Sequence, residues 1–335
     1  MRITFLIYCA RSGSTFLANR IAENRSNVVV IPEFRLPLLL FWRSEDEIRG
    51  LDADGLTALF RRDMQMDNLG LDETRLAALA TALAGQGRRE ILLAFLDAYR
   101  ETHGLSGQHF LVKNAEVVFE EEAVRAVVPE ADFLEILRDP RGVVNSMMNT
   151  RTVYSYGGPM AGGDPLRAAA AWLKHRRASA ALSMPLTVIR YEDLMSDPES
   201  MDATLDALFG PAGETATATP SGKVVSAKEQ SLHKLVGKAA DKGRNEAWKD
   251  AIPARTGMAL EAVLGATMTE AGYVPHFTAG ATEADIGAAL SRQRLVGRAI
   301  RVRHLARTGM HWAREAMHAP GEVLFRIENA RRARR

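Results

Sequence analysis

The chain has 335 residues, 47% of them hydrophobic and 25% charged, with a formal net charge of +2. It reads as a globular chain able to bury a substantial core, either one large α/β domain with appendages or two domains. One cysteine, Cys9, excludes an internal disulfide and reads as a small core residue.

The first apolar run, Ile3 to Cys9, predicts a strand over 2–9. It is too short and too β-branched for a signal peptide or a membrane anchor, so the expectation is a cytoplasmic protein. Arg11-Ser12-Gly13-Ser14-Thr15 follows, and helical periodicity runs over 15–24. A loop of small residues between strand and helix leaves backbone N–H groups free to surround an anion, with the helix dipole, a basic side chain and hydroxyls adding to the attraction. The loop lacks the G-x-x-x-x-G-K-[ST] spacing of an ATP- or GTP-binding loop, and its basic residue precedes the glycine. A strand over 28–31 leads to Pro32, Glu33 and Arg35, and residues 32–108 form a largely helical insertion with clear periodicity at 72–84 and 88–102.

Further strands are predicted at 109–113, 132–137 and 186–190, and helices at 118–127, 141–150, 165–182, 198–209 and 254–270. The alternation predicts an α/β, P-loop-like three-layer fold with a mostly parallel central sheet. In such sheets the ligand lies beyond the carboxyl ends of the strands, which places the acceptor side under the 32–108 insertion. Segments 151–164 and 210–225 read as mobile loops.

The expected division is a domain over 1–280 and a basic helical tail over 281–335. The tail holds twelve Arg, no Lys and five acids, a net +7 that leaves −5 for the rest. Leu295, Ala299, Val302 and Leu305 recur at helical spacing among Arg292, Arg294, Arg298, Arg301, Arg303 and Arg307. Such a helix suits an anionic membrane surface, peripheral to which the protein would then sit, or a protein partner. The alternative is a helix docked on the body with its Arg face in water. Without aromatic interleaving, nucleic acid is not expected as a partner.

A second anion site is predicted where the strand ending at Leu137 meets Arg138-Asp139-Pro140-Arg141 and a helix carrying Ser146. A guanidinium fork and a hydroxyl beside each other at the same sheet edge suit a second phosphate of one nucleotide. No His, Cys and carboxylate cluster has metal-ligand spacing, so no metal is expected.

Taken together, Arg11 to Thr15 after the first strand, Arg138 with Ser146, and Arg190-Tyr191-Glu192-Asp193-Leu194 resemble the sulfotransferases over roughly residues 2–278. The resemblance implies 3′-phosphoadenosine 5′-phosphosulfate as co-substrate and an acceptor hydroxyl on a carbohydrate, a lipid-linked compound or a small molecule. It assigns Arg11, Ser12, Gly13, Ser14 and Thr15 to the 5′-phosphosulfate end, Arg138 and Ser146 to the 3′-phosphate, and Tyr191 to a supporting place in the nucleotide site. Ser231, Lys242 and Arg244 resemble the segment that closes over the nucleotide. Lys113, at a strand end, corresponds to the lysine near the transferred group.

Glu33 and Arg35 resemble the Glu-x-Arg element of the tyrosylprotein branch, in which the Glu is the base; both then face the acceptor. Pro32 and Leu39 stand where that branch has a further acid and a further Arg, which argues against peptide tyrosine. Ala115 stands where the cytosolic branch has a catalytic histidine, which favours Glu33, with His103 and His109 as fallback bases. The apolar segment 34–42 reads either as acceptor lining or as the buried face of an inserted helix. Two other functions stay open: a nucleotide or small-molecule kinase, and a non-catalytic nucleotide-binding protein acting through its Arg-rich tail.

Overall fold

The computed structural model describes residues 1–63, 65–151, 159–212, 242–318 and 320–332. Five strands, β1 (Arg2–Tyr8), β2 (Val28–Ile31), β3 (His109–Lys113), β4 (Asp132–Leu137) and β5 (Leu186–Arg190), form one sheet. Their order is β2-β3-β1-β4-β5, and every neighbouring pair is parallel. Each is a short run rich in Val, Ile, Leu or Phe, as strands covered on both faces require. The strand bounds agree with expectation except that Cys9 falls just past β1.

The helices in chain order are α1 (Ser14–Asn24), α2 (Leu36–Phe41), α3 (Glu45–Arg49), α4 (Ala53–Phe60), α5 (Glu73–Leu83), α6 (Arg88–Thr102), α7 (Glu121–Val127) and α8 (Pro140–Met148). After them come α9 (Pro165–Ala180), α10 (Tyr191–Ser196), α11 (Asp202–Phe209), α12 (Trp248–Ala251), α13 (Ala254–Glu270), α14 (Glu283–His318) and α15 (Pro320–Arg332). Helices α2, α3, α4 and α10 escape the periodicity reading because runs of five to eight residues make too few turns to repeat a pattern. The helix expected over 118–127 begins as a 3-10 turn, Val117–Phe119, and the one over 198–209 begins as another, Pro198–Met201. The single tail helix expected from the Arg-rich pattern is two helices, α14 and α15. Of the expected loops, 152–158 and 213–225 lie outside the described residues, while Arg151 and Pro159 pair in an isolated antiparallel bridge. No helix among the described residues is long and apolar enough to cross a membrane.

Alternation along β1 splits the core between the two faces of the sheet. Ile3, Phe5 and Ile7 pack with Phe34, Leu36 to Trp42, and Ile91, Leu92 and Phe95 of α6. Leu6 and Tyr8 pack on the other face with Leu17 and Ile21 of α1 and Leu205, Leu208 and Phe209 of α11. The apolar segment 34–42 is therefore core: of its residues only Arg35 is not buried.

A buried ionic network ties β4 and α8 to α13. Asp139 caps α8 through the Arg141 N–H and pairs with the Arg141 guanidinium at 2.7 Å, and Arg141 pairs with Glu261 of α13, also at 2.7 Å. The Trp248 ring lies 3.8 Å from the same guanidinium. Burial pushes the Glu261 carboxyl up, but N–H groups of His276 and Thr278, Arg141 and the Thr278 hydroxyl outweigh it and hold the group below its ordinary value of 4.5. A carboxyl with a depressed folded pKa stabilises the fold fully above that ordinary value, and the contribution is lost as pH falls through the depressed one. Glu261→Ala should lower unfolding free energy by about 3 kcal/mol at neutral pH, by leaving Arg141 buried with half its partners. Denaturant titration should show the gap between wild type and variant shrinking below pH 4.5; an equal gap at pH 3 and pH 7 would contradict it.

Candidate active site

Because every strand runs the same way, the residues that leave their carboxyl ends line up along one edge in sheet order. Glu33 follows β2, Lys113 ends β3, the 9–13 turn follows β1, Arg138 follows β4, and Tyr191 follows β5. Two side-chain clusters result, one on each side of the β1 turn.

The first cluster is built around Glu33. The Tyr8 hydroxyl donates to Glu33 Oε2 at 2.6 Å, and Lys113 Nζ lies 3.8 Å from the same oxygen. The Lys113 ammonium also donates to Thr15 Oγ1 at 3.3 Å and sits 5.5 Å from the centre of the Tyr8 ring. The side chain of Lys113 is 3% exposed and that of Glu33 30%, so the cation is enclosed while the carboxylate reaches an opening. Two buried polar residues hold the backbone that presents Glu33. Asn114 donates from Nδ2 to the Phe34 carbonyl and accepts from the N–H groups of Glu116 and Val117. The Asp63 carboxylate accepts from the N–H groups of Arg35, Leu36 and Gln65, and caps α2. Burial pushes the Asp63 carboxyl up to about 6, against those hydrogen bonds and the nearby Arg35.

The second cluster is cationic. Arg11 Nε donates to Ser146 Oγ at 3.1 Å, and Arg138 Nη1 donates to the Arg11 carbonyl at 2.9 Å. The Arg138 guanidinium lies 4.0 Å from the centre of the Tyr191 ring. Burial, then the charges of Arg138 and Arg244, press the Arg11 guanidinium below its ordinary pKa. Two guanidinium groups thus meet at the turn, with Arg244 within electrostatic reach of Arg11, an arrangement an anion with more than one charge would neutralise.

Between the clusters, Arg11 and Gly13 both have positive φ, 73° and 95°. A Cβ on Gly13 would lie 2.5 Å from Tyr191 Cδ2, so the turn needs glycine for its conformation and for the close approach of the ring. Gly13 caps α1 without a side-chain hydrogen bond, which leaves the first-turn N–H groups without a side-chain cap, beside the Ser14 and Thr15 hydroxyls.

The other predicted residues divide. Arg35 turns away from the cationic cluster, its guanidinium 4.1 Å from the centre of the Phe325 ring of α15. Lys242 and Arg244 bound a 3-10 turn tied to α10, where Asn245 donates to the Glu192 carbonyl at 3.0 Å. Ser231 lies outside the described residues. The fallback bases sit elsewhere. His109 is the first residue of β3, at the opposite edge of the sheet, hydrogen-bonded to Thr4 Oγ1 at 2.8 Å, and burial lowers its pKa to about 4. His103 is held by the Leu69 carbonyl and the Tyr99 ring.

Sequence reasoning missed Tyr8, Asn114 and Asp63. For Tyr8 the available signal was a hydroxyl-bearing aromatic as the last residue of a largely apolar strand; for Asn114, an amide one residue past a strand end. Asp63 had no comparable signal, since it reaches the Arg35 and Leu36 N–H groups from 28 and 27 residues away.

A family model described as "Sulfotransferase family" matches residues 4–210. Among solved structures, the sulfotransferase domain from the curacin biosynthetic pathway is similar with a TM-score of 0.55 and 18% identity, over 82% of this chain and 99% of that one. The sulfotransferase domain of the Synechococcus PCC 7002 olefin synthase is similar with a TM-score of 0.52 and 17% identity, over 82% and 95%. At those identities the likeness speaks for the fold. No curated protein matches the sequence. The family match covers more than half of the chain, and with it the α/β fold: the chain belongs to the sulfotransferase family.

Proposed function

We propose that the chain transfers a sulfuryl group from 3′-phosphoadenosine 5′-phosphosulfate to an acceptor hydroxyl, with Glu33 as the base. The observation that carries this reading is the pairing of the two clusters: an accessible carboxylate 3.8 Å from a buried ammonium on one side of the β1 turn, and the guanidinium groups of Arg11 and Arg138 on the other. The donor brings the sulfuryl group and two phosphate ends. The residues present suit both ends: the N–H groups of α1 and the hydroxyls of Ser12, Ser14 and Thr15 at the 5′ end, and Arg138 with Ser146 at the 3′-phosphate.

In this reading Glu33 takes the acceptor proton, with the Tyr8 hydroxyl fixing the orientation of its carboxylate. Lys113 and Arg11 hold positive charge where the sulfuryl oxygens and the bridging oxygen gain negative charge. These cations do the work that a metal does in phosphoryl transfer, helped by the lower charge of a sulfuryl group. Arg244, close enough to perturb Arg11, borders the nucleotide from the 242–249 segment.

Arg138→Ala should raise the dissociation constant of the 3′,5′-bisphosphate by roughly 10- to 100-fold, from the loss of a charged hydrogen bond of about 1.5–3 kcal/mol. Calorimetric titration with the bisphosphate checks this, and wild-type affinity would undo the assignment of the 3′ site. Glu33→Gln should keep bisphosphate affinity while turnover falls by about 100-fold or more. Near-normal transfer in that variant would eliminate Glu33 as base.

A contact of the tail with an anionic lipid surface is favoured by α14. Leu295 is 63% and Val302 69% exposed, among exposed Arg292, Arg294, Arg298, Arg301 and Arg303. The protein should sediment with vesicles containing phosphatidylserine and not with phosphatidylcholine alone, and Arg298→Glu with Arg301→Glu should abolish the difference. Equal recovery with both vesicles would remove this reading.

A further inference from the structure

We propose that α15, the last helix of the chain, is a wall of the acceptor site that keeps water from competing with the acceptor at Glu33. The proposal rests on Glu33 being the base. Phe325, Glu328, Asn329 and Arg332 recur at i, i+3, i+4 and i+7, on one face of the helix. Three of the four reach the insertion, and Asn329 reaches the loop after β3.

Phe325 is 3% exposed, with its ring centre 5.0 Å from that of Trp42 and 4.1 Å from the Arg35 guanidinium. Glu328 bridges Arg43 at 3.5 Å and Arg62 at 2.5 Å. Arg332 donates to the Trp42 carbonyl. Asn329 Nδ2 lies 3.2 and 3.1 Å from the two oxygens of Glu116. Glu116 sits within the electrostatic reach of both Arg35 and Glu33, so the contacts of α15 extend to the neighbourhood of the base.

The partners of the helix come from the Arg35 to Arg62 stretch of the insertion, a stretch that starts two residues past Glu33, and from the loop after β3, whose Asn114 holds the Phe34 carbonyl. The opposite face of α15 is left to solvent, with Leu324 and Ile327 exposed. One aromatic anchor and a few polar contacts thus seat the helix, which makes the seating separable from the core of the fold.

The consequence is chemical. Water can replace the acceptor: its oxygen bonds to sulfur, the bond from sulfur to the bridging oxygen of the 5′-phosphate breaks, and Glu33 takes a proton. The products are sulfate and the 3′,5′-bisphosphate. Closing the side of the site next to Glu33 suppresses this loss.

The test uses the full chain, with Phe325→Ala removing the anchor and Glu328→Arg setting like charges against Arg43 and Arg62. Bisphosphate release from 3′-phosphoadenosine 5′-phosphosulfate is measured without acceptor, together with calorimetric affinity for the bisphosphate. Release should rise about tenfold in both variants while bisphosphate affinity stays at the wild-type value. Release at the wild-type rate in both variants, with affinity intact, overturns the wall. If Phe325→Ala fails to bind the bisphosphate, Glu328→Arg alone decides. Adding Glu33→Gln separates this proposal from the one beneath it. A rise that persists in the double variant removes Glu33 as base and leaves only the exclusion of water by α15, without Glu33, whereas a rise abolished by Glu33→Gln supports both.

Discussion

The guanidinium of Arg138 joins three strand ends at once. It leaves β4, donates to the backbone carbonyl of Arg11 in the turn after β1, and stacks on Tyr191 at the start of the helix after β5. Tyr191 in turn occupies the space that a side chain at position 13 would need. The loop around Gly13 is thereby held from two sides, by a hydrogen bond to its backbone and by a ring against its glycine. A carbonyl and an aromatic face satisfy part of the guanidinium without neutralising it, so its charge stays available to a ligand. Arg141, three residues on, has the opposite surroundings: two carboxylates and a tryptophan ring enclose it, and its charge goes into fastening α8 to α13.

The same distinction separates the two halves of the site. Near Glu33 the charges come as a pair, a carboxylate and the Lys113 ammonium, with Tyr8 and Thr15 completing their hydrogen bonds. Near Arg11 they come with one sign, and burial first, then the charges of Arg138 and Arg244, depress the pKa of Arg11. A like-charge cluster raises the cost of the empty site and lowers it when an anion enters, which favours binding of a polyanion. A carboxylate–ammonium pair needs no such ligand, because each charge already has its counter-charge. The β1 turn is the boundary between the two environments, which suits the proposed donor, with its transferred group toward the proposed base and its 3′-phosphate on the far side of the turn.

Much of this organisation was legible in the residues because it depends on short-range pattern. The five strands are apolar runs bounded by polar residues, and a parallel sheet delivers their ends to one edge whatever the intervening helices do. Arg11, Gly13, Arg138 and Ser146 could be named for that reason, and Lys113 through the resemblance to the sulfotransferases. What stayed hidden depends on contacts across long separations. Tyr8 reaches Glu33 over 25 residues, and Asp63 caps α2 over 27, and neither choice leaves a mark in local periodicity. The Arg-Asp-Pro-Arg run holds two arginines, and only the position of Glu261, 120 residues on from Arg141, decides which one turns inward. The segment 34–42 shows a similar ambiguity, since an apolar run beside a carboxylate has one composition whether it lines a pocket or fills a core.

Net charge was the least informative guide to the tail. Twelve arginines against five acids describe residues 281–335 as uniformly basic, yet the seating of α15 on an arginine-bearing surface depends on one of those few acids, Glu328, between Arg43 and Arg62. Placed anywhere else on the helix, that carboxylate would leave a basic helix facing basic neighbours, and the anchor of Phe325 between Trp42 and Arg35 would have to overcome the repulsion. The α14 helix meets the body differently, through Ala289, Gln293 and Gly297, with Gly297 so near Asp164 that a Cβ there would lie 2.6 Å from its carboxylate. Arg292, Arg294, Arg298, Arg301 and Arg303 stay in solvent because that close approach uses Ala289, Gln293 and Gly297 and needs no charge. One basic segment therefore has two relations to the rest of the fold, and the position of single residues on each helix face, not the sum of charges, sets which relation holds.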